Sequence, residues 1–297
     1  MSVAIRPLAK YMVGLSISDG EESAMRGFPL EEVNRTMLRF VAALLGQGAG
    51  VSFGHDWRDD GVMEAVHAYV QRFRLSVGGS SAPLLWNVIP WPDKASLSEV
   101  ELQRLEGTLR VEEAGLPTTL PYESKVTERD RGNFAYLYLR ARGLTHLRHK
   151  LVNGSNARVC LGGRLLRYAG RYPGVVEEAI LTLRSQQPLY VTALLGGAAE
   201  QVILALTGQN SPSSLCPDTQ KVELYGNPPF KDTGAGAGED AKCDPEAVWH
   251  DFFQAGVQSL SATNRLTISE NERLFNTQVV DEAIELILTG LGRVNRT

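Results

Sequence analysis

Between residues 160 and 180 the chain reads CLGGRLLRYAGRYPGVVEEAI. Gly162, Gly163, Gly170 and Gly174 are interleaved there with Arg164, Arg167 and Arg171, and Glu177 and Glu178 follow. Glycine lets another backbone or a ligand approach closely, and arginine offers a forked set of donors, so this mixture suits a phosphate ester. The arginines would equally suit a solvated surface. The two glutamates either face a ligand or answer the positive end of a helix that starts beside them. Three other clusters have a similar make-up. SISDGEE contains Ser16, Ser18 and Asp19; GHDWRDDG contains Gly54, Asp56 and Arg58; GGAAE opens with Gly196 and Gly197. In GHDWRDDG the plainer reading is a solvated loop in which Asp60 caps the next helix.

Each cluster follows a short apolar run and precedes a helix-length stretch. Tyr11 to Ile17, Val51 to Phe53, Pro83 to Ile89, Ala157 to Leu161 and Leu189 to Leu195 read as buried strands. Helical periodicity predicts helices from Glu31 to Leu45, over Val62 to Phe73, across Phe134 to Leu151, from Val175 to Leu183 and over Val279 to Leu291, with a short one at 96–107. Strands alternating with helices predict an α/β, Rossmann-like, doubly wound and mainly parallel sheet with helices on both faces. Ligands of such sheets bind outside the carboxyl ends of the strands, where the four clusters fall. The expected organisation is one domain over 1–297, with its core at about 11–206, a mobile loop at 211–240 and a helical part at 245–297.

The 297 residues are 43% hydrophobic and 22% charged, with a formal net charge of -4. That balance argues against a protein that coats nucleic acid, although residues 124–150 are locally basic. No run of eighteen apolar residues and no secretion signal is present, so a cytoplasmic protein without membrane contact is expected. Cys160, Cys216 and Cys243 form no C-x-x-C pair and read as free thiols. His146 and His149 have ligand spacing but no evident third ligand, so no metal and no cofactor is expected. His55 beside Asp56 lacks a nucleophile in a recognisable elbow, and the absence of G-x-x-x-x-G-K-[ST] excludes P-loop ATP hydrolysis.

The order of these pieces resembles the SLOG superfamily, which includes the LOG nucleotide phosphoribohydrolases and ligand-sensing domains of bacterial defence proteins. GLSISDGEE, from Gly14 to Glu22, is similar to the LOG first-strand turn, and VSFGHDWRDDGVM to the strand with GGGxxGLMG. LTHLRHKLV, with Arg148 and Lys150, is similar to the Arg-Lys helix, and ARVCLGG…PGVVEEA to the strand with PGGxGTxxE. Arg164 to Tyr172 is an insertion relative to that last motif. The spacer and GHDWRDDG look more like SLOG domains found beside TIR domains and nucleoside phosphorylase-like proteins in conflict systems. This resemblance implies a sensor of a nucleotide or of an NAD- or ADP-ribose-derived signal, partnered by a TIR-domain or other effector and forming homo-oligomers, for which the stripe at 279–291 is the candidate surface. The alternative it implies is a nucleoside 5'-monophosphate phosphoribohydrolase. There Glu178 or Glu177 would stabilise an oxocarbenium-like sugar and orient water, and Arg148 would pair with Glu178 or grip the phosphate.

Overall fold

The computed structural model describes residues 7–54, 63–76, 84–93, 99–100, 103, 107–118, 120, 133–229 and 237–295. Six strands, β1 (Met12–Ser18), β2 (Gly50–Gly54), β3 (Leu85–Pro90), β4 (Leu109–Ala114), β5 (Ala157–Gly162) and β6 (Leu189–Thr192), form one sheet in the order β4-β3-β2-β1-β5-β6. Every neighbouring pair is parallel. The chain steps outward from β1 to β4 and then returns to place β5 on the other side of β1. The switch point therefore lies between the carboxyl ends of β1 and β5.

Side-chain parity divides the core. Val13 and Leu15 of β1 and Val159 and Leu161 of β5 belong to one hydrophobic cluster with residues of α1 (Leu30–Gly46) and α2 (Met63–Ser76). The opposite face, with Arg158 and Cys160, lies under α3 (Phe134–Asn153), α4 (Gly174–Arg184) and α5 (Gly197–Leu206). Helices thus cover both faces, as the alternating pattern predicts, because a strand buried on two sides cannot leave either face to water.

Four local outcomes differ from the sequence reading. β4 was not anticipated; the region expected to hold a short helix at 96–107 is mostly outside the described residues. β6 stops at Thr192 instead of Leu195, where the chain turns into α5. The stretch 211–240, expected as a mobile loop, contains α6 (Pro212–Leu215), α7 (Thr219–Gly226) and α8 (Ala237–Asp240). Pro212 opens α6 at a position where a missing N–H costs nothing, and the Asp218 side chain accepts from Gln220 N to cap α7. Lastly, α9 (Pro245–Asn264), α10 (Ile268–Asn276) and α11 (Val280–Val294) finish the chain, and the apolar stripe expected as a docking surface is used internally. Ala283, Ile287 and Leu291 of α11 are buried in the same core as α1.

Candidate functional site

A cavity of about 350 Å³ opens at the switch point. Ser16, Ser18 and Asp19 come from the end of β1, Gly54 and Phe53 from β2, and Met37 from α1. Gly163, Arg164 and Tyr168 come from the segment after β5, and Gly174, Val175 and Glu178 from the start of α4. Pro173, the residue before α4, gives no side-chain cap. Gly174 and Val175 place the start of that helix, and with it the positive end of its dipole, at the cavity wall, an arrangement suited to an anion.

Glu178 forms the polar floor. The Ser16 hydroxyl donates to its Oε2, and Arg158 Nη1 donates to the same oxygen at 2.6 Å and to Ser16 Oγ at 2.9 Å. Arg158 is the second residue of β5 and is 1% exposed. A guanidinium so deep in a sheet needs a compensating anion, and Glu178 is that anion. Gly14, opposite Arg158 in the β1–β5 register, provides the room: a Cβ there would lie 2.7 Å from Arg158 Cζ. Gly14 thus makes space for an arginine and does not line the cavity. Sequence reading missed Arg158; the available signal was a single cation inside the buried run ARVCL. Its Nε and Nη2 have no hydrogen-bond partner among the described residues.

Glu177 faces the opposite way, into protein. It is 0% exposed, accepts from Thr145 Oγ1 at 2.6 Å and Arg171 Nε at 3.1 Å, and is ion-paired with Arg148. Burial alone would push its carboxyl up, but Arg148, Arg171 and the Thr145 donor outweigh that and hold it below the ordinary value. Arg171, expected to hold phosphate, is 2% exposed and also donates to Glu239 O at 2.8 Å. Its position is a correction to the sequence reading: once buried against a carboxylate, a guanidinium is committed there. Asp240 extends the cluster, pairing with Arg171 at 3.3 Å and His149 at 3.0 Å. Arg148 bridges the two layers, with Nε 3.8 Å from Glu178 Oε1.

Arg164, also expected to hold phosphate, lies in the cavity lining. It is exposed at the cavity mouth and donates to Asp19 Oδ2 at 2.6 Å. Beside it, Glu21 accepts from Leu165 N at 3.0 Å and Leu166 N at 2.9 Å, so these amides already hold a carboxylate. Gly162 takes φ 61° at the end of β5, beside Ser18 of β1, and a Cβ there would run into the Ser18 carbonyl. Gly196 and Gly197 lie beyond β6, outside the cavity lining; Gly196 packs on Arg26 and Gly197 on the Gly163 carbonyl. His55, Asp56 and Arg58 are outside the described residues, as is the basic part of 124–132. Among the described residues no group of three His, Cys, Asp or Glu is placed to hold a metal, and no helix is long and apolar enough to cross a membrane.

The cavity therefore joins a fixed carboxylate, a helix N-terminus and one accessible arginine at the crevice where Rossmann-like sheets take ligands. Neither the curated proteins nor the solved structures offer a match. A family model described as SLOG cluster2 matches residues 7–274, most of the chain and all six strands, and the protein belongs to this SLOG family.

Proposed function

We propose that the protein is a nucleotide-binding sensor whose ligand, a nucleotide or an NAD- or ADP-ribose-derived signal, lies in the switch-point cavity. The observation that carries this reading is the convergence of Glu178, the uncapped start of α4 and Arg164 on a single cavity. A phosphate would sit between the Gly174 turn and Arg164, the ribose hydroxyls near Glu178 and Ser16, and the base toward Phe53 and Met37. About 350 Å³ matches the lower range of small-ligand sites, so the cavity suits a nucleoside monophosphate or one end of a dinucleotide. The Arg164 to Tyr172 insertion links the cavity to the C-terminal helices, since Arg171 reaches Glu239 and Asp240. Ligand binding would move that link and be read by an effector such as a TIR-domain protein.

A second reading, N-glycosidic cleavage of a nucleoside 5'-monophosphate, is favoured by one feature: Glu178 is immobilised by Ser16 and Arg158 as an anion at the cavity floor. It would stabilise positive charge on the sugar as the base departs and orient the incoming water. One assay separates the readings. Purified protein is incubated with nucleoside monophosphates, NAD, ADP-ribose and cyclic ADP-ribose, and thermal shift and chromatographic base release are read on the same samples. Ligand at about 100 times its Kd stabilises by about 2.7 kcal/mol. Stabilisation without free base supports the sensor, and free base supports the hydrolase. No stabilisation and no base with the whole panel overturns both.

A further inference from the structure

Two of the three cysteines, which sequence spacing leaves unrelated, meet in space. Cys216 Sγ and Cys243 Sγ are 3.9 Å apart. Both line a second cleft, of about 520 Å³, between α7 and the start of α9. Both also stand in non-helical connections, Cys216 after α6 and Cys243 before α9, where the backbone can give the last 2 Å or so that a sulfur–sulfur bond requires. The third, Cys160, is fully buried in β5 and its thiol is pushed up to about 12 by burial, so it is inert at neutral pH.

We propose that Cys216 and Cys243 are a reversible dithiol–disulfide site oxidised by hydroperoxides, and that closure of the bond releases Tyr168 and loosens the cavity wall. Cys216 is the attacking sulfur. Its thiol is held below the ordinary value by the Cys243 S–H donor, with further help from the Tyr168 hydroxyl and Lys221, while Cys243 is raised. The Cys216 thiolate attacks the peroxide O–O bond and takes one oxygen as sulfenic acid; the other oxygen leaves as alkoxide or hydroxide and picks up a proton. The Cys243 thiol then displaces the sulfenic oxygen, which leaves as water. Two thiols and one hydroperoxide thus give one disulfide, one alcohol or water, and one water, the two electrons going to the O–O bond. Tyr168 hydroxyl and Cys216 Sγ are 2.9 Å apart, and Tyr168 lines the switch-point cavity. A sulfur drawn toward Cys243 leaves that contact, and the segment 164–172 loses an anchor.

The test needs no nucleotide. The full chain is treated with stoichiometric hydrogen peroxide and mapped by peptide mass spectrometry without reductant. The expected product joins the Cys216 and Cys243 peptides within one chain, is reversed by dithiothreitol and leaves Cys160 as a thiol; in Cys243→Ser, dimedone traps a sulfenic acid on Cys216. Hydrogen exchange of the wild type is expected to quicken in 164–172 on oxidation. Cys216 and Cys243 reacting no faster than Cys160, or crosslinking only between chains, would overturn the site. A disulfide with unchanged exchange in 164–172 would overturn the link to the cavity.

Discussion

Replacing Glu177 by glutamine tests whether the buried cluster is structural. The carboxylate is 0% exposed and accepts from Arg171 and Arg148, whose side chains are 2% and 9% exposed. Glutamine keeps the shape but offers one neutral acceptor and turns an N–H₂ toward guanidinium donors. Removing one partner from a buried ionic cluster costs about 3–5 kcal/mol, because the remaining charges stay desolvated and uncompensated. At roughly 2 °C per kcal/mol for a chain of this size, Tm should fall by roughly 6–10 °C. The assay is denaturant unfolding of wild type, Glu177→Gln, Arg171→Met and the double variant. The coupling between the two positions should be ~1–3 kcal/mol, with the double variant losing less than the sum of the singles. A loss below about 1 kcal/mol, or additive singles, would refute the placement of Glu177 as an internal counter-ion.

The other predictions separate the cavity from that cluster. Arg164→Ala should leave the unfolding midpoint unchanged, since the side chain is exposed, yet weaken a phosphorylated ligand by roughly ten- to hundredfold as a charge-assisted hydrogen bond is lost; equal affinity in calorimetry would move the phosphate elsewhere. Glu178→Gln leaves Arg158 without its counter-ion and so should lower Tm, but the folded variant should retain binding and release no base, and an unaltered release rate would remove Glu178 from the chemistry. Gly14→Ala should destabilise by ~1–3 kcal/mol, because its Cβ displaces the Arg158 guanidinium; an unchanged midpoint would show that the guanidinium has room to move. The pH dependence follows from the lowered Glu177 carboxyl. Its contribution is fully present above the unfolded value of about 4.5 and is lost as pH falls through the lower folded value. The stability gap between wild type and Glu177→Gln should therefore narrow on acidification below pH 4.5, and a gap that persists at the acid limit would contradict it.

What the sequence made legible was set by periodicity. Apolar runs alternating with amphipathic stretches specify a doubly wound sheet almost regardless of side-chain detail, and glycine clusters at strand ends mark the corners. β4 escaped because LRVEEA is an edge strand with charged residues facing out, so it lacks the continuous apolar run of its neighbours. Arg164 and Arg171 could not be told apart because they share one glycine-rich segment; only the packing of α4 on α3 shows that one is half-exposed and the other buried. Arg158 was hidden by its setting, since one cation inside an apolar strand has no meaning until the strand beside it supplies Ser16 and the helix above supplies Glu178.

Glu177 and Glu178 show how adjacent carboxylates acquire different work. Consecutive residues on a helix point about 100° apart. On α4 that rotation separates the layer facing α3, where Arg148 and Thr145 wait, from the layer facing the sheet, where Ser16 and Arg158 wait. The first glutamate lies wholly within protein and its acceptors serve protein donors. The second is fixed by two donors on its Oε2, while its position at the cavity leaves the carboxylate edge open to solvent and ligand. Arg148 touches both, so a shift of Glu178 on ligand binding would be felt at Glu177, then at Arg171 and Asp240. Under the proposed sensing function this chain of ion pairs would carry occupancy of the cavity to Asp240 at the end of α8, and Arg148→Lys, which keeps the charge but loses the bridge, is the substitution that should cut it while leaving the ligand site in place.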